Sequence, residues 1–119
     1  MRILLAEDDD DMRCFLERAL QRAGYDVFSA RDGDEAYARL REEPFSLLLT
    51  DIVMPGMNGI ELARKGTRLD PDLRVMFITG FAAVALDGSN DTPAHAKVLS
   101  KPFHLRDLVR EVGRMLEYA

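Results

Sequence analysis

The 119 residues are enough for one packed core and too few for two, so a single domain over 1–119 with no output domain is expected. With 21 Asp and Glu against 16 Lys and Arg, the formal net charge of −5 argues against a nucleic-acid surface, and no apolar run reaches the roughly 20 residues of a membrane span. The lone Cys14 rules out an internal disulfide, and Met1-Arg2 leads straight into an apolar strand without a secretory cleavage pattern, so a cytoplasmic location is expected.

Apolar period and punctuation predict a strand and helix alternation repeated five times. Ile3-Leu4-Leu5-Ala6 is the first strand. The first helix carries an apolar stripe at Met12, Phe15, Leu16, Ala19, Leu20 and Ala23, and Gly24 stands where a left-handed C-cap is expected. Val27 and Phe28 lie in the second strand. Asp32 and Glu35 form a capping-box-like start to a helix bearing Ala36, Tyr37 and Leu40, which Pro44 ends. Ser46-Leu47-Leu48-Leu49-Thr50 shows no alternation, as expected of a parallel strand covered on both faces. Asn58 to Leu69 forms the third helix, with Gly66 costing about 1 kcal/mol relative to Ala.

Val75-Met76-Phe77-Ile78-Thr79 is the fourth strand and Val98-Leu99-Ser100 the fifth. Between them, Asp87-Gly88-Ser89-Asn90-Asp91-Thr92-Pro93 is a tract of turn formers, so the fourth helix is expected to be short or irregular. The last helix has a stripe at Leu105, Leu108, Val109, Val112 and Leu116. The pattern predicts an α/β fold: a doubly wound, five-stranded parallel sheet with right-handed crossovers and helices on both faces.

In such sheets ligands bind at the carboxyl ends of the strands, and for the flavodoxin-like order 2-1-3-4-5 the crevice lies between strands one and three. Glu7-Asp8 and Asp51 stand at those two ends. Three converging carboxylates repel unless a cation joins them, and oxygen-only ligands suit Mg²⁺ better than Zn²⁺. Asp9, Asp10 and Asp11 are read instead as an acidic run favoured by the helix dipole; Glu7 and Asp8 without Asp51 would read equally well that way. Thr79 and Lys101 end strands four and five on the same rim, where a hydroxyl and an ammonium suit an incoming phosphoryl group. Either alone would be an ordinary structural threonine or solvated lysine.

The segments Ile3 to Asp9, Asp51-Ile52-Val53-Met54-Pro55-Gly56-Met57-Asn58-Gly59, Thr79-Gly80 and Lys101-Pro102-Phe103 together resemble the response-regulator receiver domain, over the whole chain and in order. The resemblance implies the CheY-like form of the fold, with Asp51 as phosphoacceptor and Asp8 and Asp51 contacting Mg²⁺ directly. It implies that Glu7 acts through water and that the main-chain carbonyl of Val53 completes the protein ligands. Thr79 would move toward the phosphoryl group, Lys101 would pair with it, and Lys101–Pro102 would be cis. A histidine kinase or histidine phosphotransferase would be the donor. The segments from Glu42 to Asp51, Val75 to Leu86 and Leu99 to Leu108 also resemble a narrower group, single-domain regulators of alphaproteobacteria. That likeness implies a cell-cycle phosphorelay and, in the unphosphorylated state, priming of the ClpXP protease. A phosphate sink and a motility-type receiver are the competing roles, and a monomer or weak dimer is expected.

Val98 stands where many receivers carry Tyr or Phe, so the usual aromatic readout is not expected. The expected partner surface centres on the segment Phe81 to Leu86, which follows Thr79 directly, with help from the fifth strand and the start of the last helix; the alternative is that Phe81 and Val84 seal the sheet's flank. His95 and His104 lack a second ligand at metal spacing, Cys14 reads as a half-exposed inert thiol, and Met54 and Met57 as loop filling. A haloacid-dehalogenase-like hydrolase would need an acid at the position of Val53, and in a flavodoxin the first loop must cradle a phosphate that Glu7 to Asp11 would repel.

Overall fold

The computed structural model describes residues 1–79, 97–100 and 104–117. Strands β1 (Arg2–Ala6), β2 (Asp26–Ala30), β3 (Leu47–Asp51), β4 (Arg74–Thr79) and β5 (Lys97–Ser100) form one sheet in the order β2-β1-β3-β4-β5. Every pairing is parallel. Among the described residues the helices are α1 (Asp10–Arg22), α2 (Gly33–Glu42), α3 (Gly59–Leu69) and α4 (Leu105–Glu117). The expected fold class and strand order are those observed. The short or irregular helix expected between β4 and β5, the cis Lys101–Pro102 bond, the Phe81 to Leu86 surface and His95 all lie outside the described residues.

Strand parity divides the core in two. Successive strand side chains point to opposite faces, so Leu4, Ala6, Leu48, Val75 and Phe77 pack against Ala36, Leu62 and Ala63 of α2 and α3. Ile3, Leu5, Leu47, Leu49, Met76 and Ile78 pack against Leu16 and Leu20 of α1 and Leu108, Val112 and Leu116 of α4. This explains why Leu47, Leu48 and Leu49 show no alternation and why all five residues of β3 are buried. The run is two alternating sets, each with its own helical layer.

The helix ends follow the sequence signals. Asp9 caps α1 by accepting from the Met12 N–H at 3.0 Å, and Gly24 beyond its C-terminus has φ +99°. Asp32 accepts from the Glu35 N–H at 2.8 Å and Asn58 from the Glu61 N–H at 2.9 Å. One expectation needs correction. Phe15 is 61% exposed, so the buried stripe of α1 is narrower than its apolar spacing suggests. Cys14, next to it, is exposed. Gly66 has a packing reason: a Cβ there would stand 3.0 Å from side-chain carbons of both Leu40 and Leu73, so the helix-propensity cost accompanies close contact of α3 with its neighbours. Among the described residues, no helix is long and apolar enough to cross a membrane.

Candidate functional site

The register of β1 against β3 builds the site. Ala6 pairs with Thr50, so the next residues, Glu7 and Asp51, stand level at the carboxyl ends of adjacent strands. The Glu7 N–H donates to the Ala30 carbonyl at 3.1 Å, extending the ladder toward β2 by one step. Glu7 is fully buried, Asp51 is 8% exposed, and Asp8 is open to solvent. One carboxylate oxygen from each of Glu7, Asp8 and Asp51 lies within 4.8 Å of the others. Three hard oxygen donors at that spacing, one of them facing water, fit a Mg²⁺ ion that keeps part of its hydration shell. A soft or nitrogen-seeking metal would find no sulfur or imidazole in this set.

The loop after β3 is held tightly. The Val53 N–H donates a long bond of 3.4 Å to Oδ1 of Asp51, and the Thr50 hydroxyl donates to the Asp51 carbonyl at 2.8 Å. Val53 itself is exposed, while Met54 is buried in the α2–α3 core and Met57 packs partly against it. Met54 therefore anchors the loop to the core. A Cβ on Gly59 would stand 2.0 Å from the Asp51 carbonyl oxygen, and one on Gly33 would stand 2.3 Å from the Met57 carbonyl oxygen. Both helices thus bring bare backbone against this loop. The Gly59 N–H donates to the Ile52 carbonyl at 2.8 Å, closing it.

The backbone of Thr79 ends β4, one residue beyond the Asp51–Ile78 pair, and Thr79 pairs with Ser100 of β5. Lys101 follows Ser100 and lies outside the described residues. Val98 is partly buried against the α2–α3 core. His104 is exposed just before α4, and its carbonyl accepts from the Asp107 and Leu108 N–H groups at 3.0 and 3.2 Å.

Sequence reasoning singled out the three carboxylates but missed Arg13. Its guanidinium donates to the Glu7 main-chain carbonyl at 3.0 Å and pairs with Asp10, with the side chain only 15% exposed. The helical spacing of Asp10 and Arg13 was visible; the bond to Glu7 requires knowing how α1 crosses the end of β1. Gly33 was missed too, because its partner Met57 is 24 positions away.

Residues 3–113 match the response regulator receiver domain family, and the chain belongs to it. It is a receiver domain of two-component signalling, a regulator class that works with histidine kinases or phosphotransferases and binds Mg²⁺ at an acidic pocket. The chain is 70% identical over 115 residues to the response regulator receiver protein CpdR of Brucella abortus (strain 2308), covering 97% of this chain and 96% of that protein. It is 39% identical over 119 residues to the sensor kinase CckA of the same organism, covering 97% of this chain but only 12% of the kinase. The structure of the response regulator TrrA of Thermotoga maritima in complex with Mg²⁺-BeF superposes with a TM-score of 0.84 at 27% identity, covering 97% of this chain and 98% of that one.

Proposed function

We propose that this chain is a phosphorylation-controlled switch in which Asp51 accepts a phosphoryl group from a phosphohistidine donor, changing what the domain binds. The observation that carries the reading is the convergence of the Glu7, Asp8 and Asp51 carboxylates at the ends of β1 and β3. Three converging carboxylates repel an anionic donor, and Mg²⁺ when bound would supply neutralising charge for the phosphoryl group. Asp8 and Asp51 would hold the ion directly, Glu7 would act through water, and the Val53 carbonyl would complete the protein ligands.

An oxygen of the Asp51 carboxylate forms the new bond to phosphorus as the phosphorus–nitrogen bond of the donor breaks, its electron pair returning to the imidazole. In autodephosphorylation a water oxygen replaces that carboxylate oxygen on phosphorus. Lys101 pairs with the transferred group and Thr79 moves to donate a hydrogen bond to it, which links the site to the segment after β4. The likeness of the chain to part of a sensor kinase supports a histidine kinase or phosphotransferase as donor.

The CpdR resemblance, spread over nearly the whole of both chains, supports a further role as a cytoplasmic single-domain adaptor. In this role the unphosphorylated form primes ClpXP for selected substrates. Incubating wild type and Asp51→Asn with a small-molecule phosphodonor, with and without Mg²⁺, tests the chemistry by intact-mass spectrometry. One phosphoryl group should appear on wild type in Mg²⁺ alone; undiminished incorporation in Asp51→Asn overturns the assignment. For the adaptor role, purified ClpXP should degrade a primed substrate faster with the unphosphorylated chain than with the phosphorylated one. Equal rates would remove it.

A further inference from the structure

We propose that Arg13 is a positioning residue for Asp8, fixing the peptide that joins the two carboxylates contributed by the β1 end. The inference rests on the reading of Glu7, Asp8 and Asp51 as a Mg²⁺ site. The carbonyl of Glu7 and the N–H of Asp8 belong to one planar peptide, so a bond to that carbonyl sets the plane from which Asp8 projects. Arg13 makes that bond at 3.0 Å, with a charged donor on a largely covered side chain. Backbone before and after this peptide is anchored separately. The Glu7 N–H is held by the Ala30 carbonyl at 3.1 Å, and the Asp9 carbonyl accepts from the Arg13 N–H at 2.9 Å.

Asp8 is the one exposed carboxylate of the three, and packing does not fix it as it fixes Glu7 and Asp51. Its backbone is therefore where orientation must be supplied. The second branch of the guanidinium is engaged by Asp10, so the fork spans from the first turn of α1 to the last residue before the metal ligand. A rigid planar fork is preorganised to hold both partners at once, whereas an ammonium is a compact charge on a flexible stem.

Three roles for Arg13 give different results. As a positioning group, its loss weakens cation binding. As a positive charge near a cation site, its loss strengthens binding. As a staple for α1, its loss lowers stability without altering the affinity. Mg²⁺ titrations by calorimetry at fixed ionic strength, with thermal melts in chelator, separate them for wild type, Arg13→Gln, Arg13→Lys and Asp8→Asn. Outer-shell groups typically contribute about ten- to a hundredfold in metal affinity, so Arg13→Gln should weaken Mg²⁺ binding about tenfold or more. Arg13→Lys, with the charge retained but the planar fork lost, should fall between it and wild type. Should Arg13→Gln fail to fold, the Arg13→Lys affinity decides. Unchanged or tighter binding in the folded Arg13 variants overturns the proposal while leaving the metal site standing. If wild type shows no saturable Mg²⁺ binding, or Asp8→Asn binds as well as wild type, the site reading itself fails and this inference with it.

Discussion

Gly59 occupies a point where a methyl group has no room, because a Cβ would overlap the carbonyl oxygen of the residue proposed to accept the phosphoryl group. Gly59→Ala must move either the start of α3 or the end of β3. We expect a loss of about 1–3 kcal/mol by chemical denaturation, the usual cost of forcing extra volume into a packed place, together with slower Mg²⁺-dependent phosphorylation. A variant as stable and as reactive as wild type would mean the loop has slack that the geometry does not suggest. Lys101→Ala is expected to do the opposite: keep a folded protein but uncouple phosphorylation from partner binding. Partner affinity measured with and without phosphodonor checks this, and a full response in the variant removes the role given to Lys101. The three carboxylates were legible in the sequence because a parallel strand ends at a fixed rim, and the strand patterns Ile3 to Ala6 and Ser46 to Thr50 stop directly before Glu7 and Asp51. Arg13 and Gly33 were not, because their partners are set by how two elements cross rather than by spacing within one.

At the level of elements, α1 shows where periodicity stops being decisive. Phe15 and Leu16 are both apolar, yet consecutive residues are about 100° apart around a helix, and only Leu16 reaches the core. Phe15 falls at the edge of the arc, on the side away from Leu20. Leu16→Ala should therefore cost about 2–5 kcal/mol, whereas Phe15→Ser should stay within about 0.5 kcal/mol, as surface changes do. Paired urea unfolding curves would settle it, and a large loss in Phe15→Ser would mean that the residue is covered in solution. The strands were easier to read. β1 and β3 are near-continuous apolar runs, and once helices are expected on both faces, parity assigns Leu4 and Leu48 to one core and Ile3 and Leu47 to the other. The sequence left Gly66 as a cost without a reason, since crowding by Leu40 and Leu73 involves three elements at once.

For the molecule as a whole, the site is a local conflict inside an otherwise consistent fold. Two cores hold the sheet, yet two buried carboxylates and one exposed carboxylate are brought within 4.8 Å at its edge. At that separation and an effective dielectric near 20, repulsion between the buried pair is on the order of 3 kcal/mol. The Val53 N–H bond to Asp51 and the Arg13 guanidinium at the Glu7 carbonyl offset part of it, and the remainder is expected to lower the stability of the metal-free protein. Asp51→Asn removes one charge with little change of shape, so in chelator it should be more stable than wild type by about 1 kcal/mol, a common trade between function and stability. Mg²⁺ should reverse the order. A ligand at a hundred times its dissociation constant adds about 2.7 kcal/mol to the state that binds it, and wild type retains all three oxygen ligands whereas the variant has lost an anionic one. Thermal melts of both proteins in EDTA and across a Mg²⁺ series should therefore cross, wild type rising with concentration and Asp51→Asn rising far less. Parallel curves, or a variant less stable than wild type in EDTA, would show that the carboxylates are already compensated within the protein and that the strand-end cluster does not depend on a cation.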